Sequence, residues 1–162
     1  MLTTQYVAGL FDGEGYVTIR RVNKYKTSTP SYTCGVGIAN KHLGVLKLIQ
    51  AQFGGKIYPK SRKSPKHSVA FEWFTCQSSS VHRFLSDISS IVVIKSEQVR
   101  LGLDFLSLGK MKKVVVGRRR IHTTKGGTYP ICNVADGEVE LREDFKLRLT
   151  AMNMRGPWQG AA

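Results

Sequence analysis

The strongest constraint on this chain is a change of hydrophobic period, from helical to alternating and back, that happens twice within its first 108 residues. Leu2 to Phe11 reads as a short helix, with Thr3 as N-cap, Leu2 and Val7 as a hydrophobic staple, and Gly13 and Gly15 ending it. From Tyr16 to Lys26 the pattern alternates: Tyr16, Thr18, Arg20, Val22 and Lys24 share one face, and Val17, Ile19 and Arg21 the other. After a polar turn at Thr27 to Pro30, Ser31 to Ala39 alternates again, with Tyr32, Cys34, Val36 and Ile38 on one face and Ser31, Thr33, Gly35 and Gly37 on the other. Leu43 to Phe53 returns to a helical stripe stopped by Gly54 and Gly55. A second pair of strands, Lys56 to Lys60 and Ser68 to Cys76, flanks a basic turn at Ser61 to His67. Helices follow at Ser80 to Ile88 and Ser96 to Leu108, separated by the apolar stretch Ile91 to Ile94. The layout is α+β, with helices covering antiparallel hairpins.

Beyond Gly109 the pattern weakens. Lys110, Lys112, Lys113, Arg118, Arg119, Arg120 and Lys125 surround a strand-like Val114 to Val116. Glu138 to Met152 is predicted as a last helix, acids early and bases late, as the macrodipole prefers. No linker or internal repeat divides the chain, so residues 1–162 are expected to form one domain, with a core over about 2–108 and a basic extension and final helix over about 109–162.

The charge is uneven. Residues 1–125 hold 21 Lys and Arg against 6 Asp and Glu, whereas 126–162 hold 4 against 5, within a net charge of +14. Such an excess points to a polyanion as partner, although charge alone also fits a ribosome-associated or merely soluble basic protein. Cys34, Cys76 and Cys132 are dispersed and odd in number, which argues against a disulfide framework or a zinc knuckle. The four histidines lack metal-ligand spacing, and Trp73 and Trp158 read as packing residues. No apolar run nears the roughly 18 residues that cross a bilayer, and the N-terminus lacks a basic leader, so a soluble intracellular protein is expected, in a bacterial or phage cytoplasm or an organelle.

The segment from Tyr6 to Gly15 carries two physical oddities. Gly9 and Gly13 stand four apart, on one face of the first helix, where small residues allow a second helix to approach closely. Asp12 and Glu14 stand at its C-terminus, where carboxylates oppose the macrodipole by about 0.3–1 kcal/mol each. If two copies pack through the glycines, acids of both converge, and a hard cation such as Mg²⁺ relieves their repulsion. A glycine-rich helix end with incidental acids is the alternative.

Val7 to Gly15 resembles the LAGLIDADG motif, with Val7 for the leading Leu, Phe11 for Ile, Gly13 for Ala and Glu14 for the second Asp. The helix–hairpin layout over residues 2–108 resembles that family's αββαββα core with its saddle-shaped antiparallel sheet, and Ile94 to Gln98 resembles its lysine-bearing segment. The resemblance implies a homing endonuclease with a single motif, hence a homodimer meeting through Ala8, Gly9, Asp12 and Gly13. It implies Glu14 as metal ligand, the Gly15 carbonyl as a further ligand and Asp12 as a less favoured one, with capping or interface structure an equal alternative for Asp12. Lys95 would act near the scissile phosphate, and Asn40 would orient the attacking water. Mg²⁺ or Mn²⁺ would support cleavage, and Ca²⁺ binding alone. Where some relatives carry a second basic residue this chain has Gly44, with Lys41 or His42 as possible replacements.

The partner expected is double-stranded DNA, read over a long pseudo-palindromic site by β-ribbons in the major groove. The polar strand faces nominate Thr18, Arg20, Lys24, Ser31, Thr33, Lys56, Tyr58, Lys60 and Glu72. Arg20 and Lys24 suit guanine, and Glu72 suits the cytosine amine. Gly35 and Gly37 suggest close backbone approach or a bend where the ribbon meets DNA. Arg118, Arg119 and Arg120 are nominated for flanking phosphates, the alternative being a disordered basic loop. Competing readings are an intron-RNA maturase and a DNA-binding protein of this fold without catalysis.

Overall fold

Thr3 starts the first helix, α1 (Thr4–Glu14), by accepting the Tyr6 N–H on its hydroxyl at 3.3 Å. The helix runs three residues past Phe11, because Gly13 stays helical and the chain turns only at Gly15, whose extended backbone donates its N–H to the Phe11 carbonyl. β1 (Gly15–Val22) and β2 (Ser31–Asn40) then pair antiparallel, with Gly15 opposite Ile38 and Val22 opposite Ser31. α2 (Leu43–Phe53) ends at Gly54 and Gly55, both at positive φ, as their placement predicts. β3 (Lys56–Pro59) and β4 (Phe71–Thr75) form the second hairpin, and β4 lies against β2, giving the sheet order β1-β2-β4-β3. α3 (Ser78–Ile88) and α4 (Ser96–Ser107) complete an αββαββα core followed by one more helix. The computed structural model describes residues 1–22, 30–60, 69–120 and 128–154, and only the backbone of 119, 120 and 128–132.

One face of the sheet is covered. Val17, Ile19, Cys34, Val36, Ile38 and Trp73 meet Val7, Phe11, Leu46, Ile49, Val81, Leu85, Val99 and Leu101 from the helices. Phe84 sits among aromatic rings, with centroids at 5.6 Å to Phe11, 4.9 Å to Phe53 and 5.2 Å to Trp73. The buried Trp73 indole finds a partner in the Gly54 carbonyl at 2.7 Å. Burial of this face fixes strand register, since a slip of one residue would expose it.

The basic extension departs from the expectation of an unreadable segment. β5 (Lys113–Arg120) and β6 (Thr128–Val134) form a separate two-stranded hairpin, with a register irregularity between Val115 and Gly117. α5 (Glu138–Asn153) then returns to the core. Its Arg142 is buried, bonded to Glu138 at 3.2 Å and to the Gly109 carbonyl at 3.1 Å, with its guanidinium 5.4 Å from the Phe105 ring centroid. At the other end, Asn153 donates to the Val17 carbonyl of β1 at 2.7 Å. Between them Glu143 accepts the Tyr32 hydroxyl at 2.6 Å and lies 3.8 Å from Arg21. Among the described residues, no helix is long and apolar enough to cross a membrane.

Candidate active site

The C-terminus of α1 gathers Asp12, Glu14 and Lys95. Asp12 accepts the Val93 N–H at 2.8 Å and the Lys95 N–H at 3.0 Å, one on each carboxylate oxygen, so it pins the connection between α3 and α4 to α1. Lys95 donates from Nζ to the Phe11 carbonyl at 3.0 Å, placing a cation on the helix C-terminus, where it offsets the cost of two nearby acids. Burial lowers the Lys95 pKa, and the negative charges of Asp12 and Glu14 act in the opposite direction. Glu14, the last residue of the helix, is exposed.

These contacts revise the expectation for Asp12. Each of its oxygens accepts one backbone N–H, from residues 93 and 95, which favours a structural role for Asp12. Ala8 is corrected as well. It is 1% exposed, because it lies on the same side of α1 as Val7 and Phe11 and belongs to the chain's own core. Gly9 and Gly13 are different. Both are exposed, and a Cβ added to either would meet nothing within 4 Å. Nothing in the described chain requires glycine there. The open stripe leads directly to Glu14.

Among the described residues, no three His, Cys, Asp or Glu side chains gather to hold a metal ion. One exposed Glu14 carboxylate per chain, with the Gly15 carbonyl beside it in sequence, is the donor set available. Hard oxygen donors suit Mg²⁺, which keeps waters and needs few protein ligands.

Asn40 closes β2. Its Oδ1 accepts the His42 N–H at 2.8 Å, and it follows in phase from the core residue Ile38, opposite Phe71. His42 accepts the Val45 N–H on Nδ1 at 3.3 Å, and its ring covers Gly44, where a Cβ would stand 3.0 Å from Cε1. The imidazole thus fills the space at the position where some relatives place a basic side chain.

The uncovered face of the sheet carries Thr18 and Arg20 on β1, Ser31 and Thr33 on β2, Glu72 on β4, and Lys56 and Tyr58 on β3, with Lys60 just beyond it. The alternation therefore has the phase that the sequence predicts. Lys24 lies outside the described residues; Arg118 is exposed on β5, while the side chains of Arg119 and Arg120 lie outside the described residues. Glu72 is less available than expected, being paired with Lys60 at 3.2 Å. Sequence reasoning placed Tyr16 on this face without a role and did not single out Phe74. A Cβ on Gly35 would come within 2.5 Å of the Phe74 ring, and one on Gly37 within 2.6 Å of the Tyr16 ring. The two glycines make room for the chain's own aromatics, which corrects their reading as a place for DNA or a bend. Two glycines flanked by strands with aromatic residues in the same phase were the available signal.

By sequence, the chain matches no family model and no curated protein. By structure, it is similar to the archaeal intron-encoded homing endonuclease I-Vdi141I complexed with DNA, at 13% identity over 98% of this chain and 88% of that one, TM-score 0.65. It is similar to the homing endonuclease I-CvuI in complex with its target in the presence of Ca, at 14% identity over 98% and 85%, TM-score 0.63. The LAGLIDADG homing endonuclease I-GzeII in complex with a DNA target aligns at 16% identity over 66% of this chain and 36% of that one, TM-score 0.53. The chain has the LAGLIDADG homing endonuclease fold. In that fold's terms, α1 is the helix that carries the Val7 to Gly15 motif.

Proposed function

We propose that two copies of this chain, each acting as one domain over residues 1–162, form a site-specific DNA endonuclease that hydrolyses both strands of a pseudo-palindromic site. The observation that carries the reading is the stripe of Gly9 and Gly13, open on α1 and ending at the exposed Glu14 with Lys95 beside it. Two such helices packed along their glycines bring two Glu14 carboxylates together at one end. They would hold divalent ions with the Gly15 carbonyls, and ions so placed supply water activation and charge neutralisation at the leaving oxygen. Lys95, fixed by the Phe11 carbonyl, offsets negative charge growing on the phosphate. Asn40 keeps its amide group for the attacking water while its carbonyl oxygen holds the turn.

Thr18, Arg20, Ser31, Thr33, Lys56, Tyr58 and Lys60 meet base edges and phosphates, with Lys24 extending the same strand. Arg118, Arg119 and Arg120 contribute sequence-independent affinity from the second hairpin. The DNA complexes of I-Vdi141I and I-CvuI support the reading. The test is incubation with DNA spanning the insertion site of the chain's own gene. Wild-type protein cuts it with Mg²⁺, and Glu14→Gln binds it without cutting; full cutting by Glu14→Gln refutes the role of this carboxylate.

A further inference from the structure

Arg20 is not a loose surface side chain. Its guanidinium carbon lies 4.3 Å from the centroid of the Phe74 ring, on the uncovered face of the sheet. That ring is itself fixed, because it fills the space over Gly35, which pairs with Thr18, two residues before Arg20 in the ladder. Tyr16 lies over Gly37 in the same way, opposite it across the β1–β2 ladder. Burial, then the Glu72 carboxylate beside it, push the Tyr16 phenol up to about 12, and Arg20 acts on the same phenol in the opposite sense. Glu72 is in turn held by Lys60 at 3.2 Å. Arg20, Tyr16, Glu72, Lys60 and Phe74 therefore form one ordered cluster standing on two glycines.

We infer that Phe74 is a positioning residue which, by stacking under Arg20, pre-orders its guanidinium to read one guanine in each half of a DNA site. The inference rests on the proposed DNA-binding role of this face. A guanidinium carries five N–H donors, so the contact to Tyr16 leaves a free edge for the bidentate fork to guanine O6 and N7. An arginine free in solution loses rotamer freedom when it docks, whereas one stacked on a fixed ring has lost much of it already. Lys56 and Tyr58 line the same hollow of about 640 Å³ as Arg20, Glu72 and Phe74, which opens beside the cluster and admits a base edge. Lys56 and Lys60, the other described basic side chains nominated on this face, have no ring beneath them among the described residues.

The experiment selects binding sites from randomised duplex DNA with Ca²⁺ present, using wild type, Arg20→Ala, Phe74→Leu and Phe74→Tyr. Wild type is expected to select a symmetric pair of guanines, and Arg20→Ala to lose that preference by roughly 5- to 150-fold while keeping the rest of the site. Phe74→Leu is expected to weaken the same guanine preference by roughly two- to tenfold and leave other positions unchanged, and Phe74→Tyr to restore it. Thermal unfolding of each variant separates folding from reading. Retention of the full guanine preference by a folded Phe74→Leu protein overturns the inference, as does a uniform loss at all positions. Sequence-selective binding with no guanine dependent on Arg20 overturns it while leaving the endonuclease reading intact. An absence of any DNA binding by wild type overturns both.

Discussion

Replacing Gly9 and Gly13 by alanine should move the single chain and the proposed dimer in opposite directions. In the isolated chain neither new methyl group meets an atom within 4 Å, so no clash opposes the change. Alanine in place of glycine within a helix stabilises by about 0.5–1 kcal/mol. Gly13 stands one residue before the end of α1, so its share is the smaller. Together the two changes should raise the melting temperature of dilute, dissociated protein by roughly 2–8 °C, from about 1–2 kcal/mol at about 2–4 °C per kcal/mol. In a two-fold dimer each methyl group appears twice at the closest approach of the helices, where overpacking costs about 1–3 kcal/mol. Self-association should weaken by about tenfold or more, and cleavage at fixed protein concentration should fall with it. Sedimentation over a concentration series, with thermal unfolding at the dilute end, reads both effects on one preparation. The reasoning fails if the double variant associates as tightly as wild type, or if the dilute chain is destabilised.

Asp12→Ala should destabilise the fold by about 1–3 kcal/mol in urea unfolding, because the Val93 and Lys95 N–H groups lose their acceptor, and Asp12→Asn should cost less, since it keeps one oxygen. Equal losses in the two variants would show that charge, not acceptor number, is what matters. Arg142→Met leaves Glu138 without its partner in a buried setting and should cost about 3–5 kcal/mol, with faster amide exchange across α5 than across α1; uniform exchange would contradict a tether at this end. The phenols of Tyr16 and Tyr32 are both pushed up to about 12, mainly by burial and then by Glu72 and Glu143 respectively. The folded chain therefore keeps protons that the unfolded chain releases at an ordinary tyrosine value near 10. Their contribution to stability is complete below pH 10 and is lost as pH rises from about 10 to about 12. Urea midpoints at pH 9 and 11 test this, and an unchanged midpoint would refute it.

Local patterns carried most of the fold. The Thr3 cap, the stop at Gly54 and Gly55 and the phase of every core strand rest on signals within a few residues, and each is present in the structure. What stayed hidden depends on distance or on conflicting cues. Asp12 finds its partners 81 and 83 residues away, so no window of sequence reveals which backbone groups it holds. Gly13 looks like a helix stop, yet the turn waits for Gly15, because glycine tolerates a helical backbone as readily as it ends one. The β5–β6 hairpin was obscured by charge, by the irregularity between Val115 and Gly117, and by Pro130, which suits an edge strand only. At the candidate site, Glu14 was nominated through the motif and Lys95 through the segment Ile94 to Gln98, and the fold brings the two together at the end of α1. The aromatic support of Arg20 was not, since Phe74 comes from a strand on the far side of β2.

The last helix has a consequence for crowding. An antiparallel sheet with two bare margins invites other copies to zip on, a hazard for any protein concentrated along a polymer. Here one margin is β3, four residues long and ending in Pro59, and the other is β1, with α5 laid along it and Asn153 occupying the Val17 carbonyl. With both margins of this four-stranded sheet blunted, a second copy finds no long bare edge there on which to continue it.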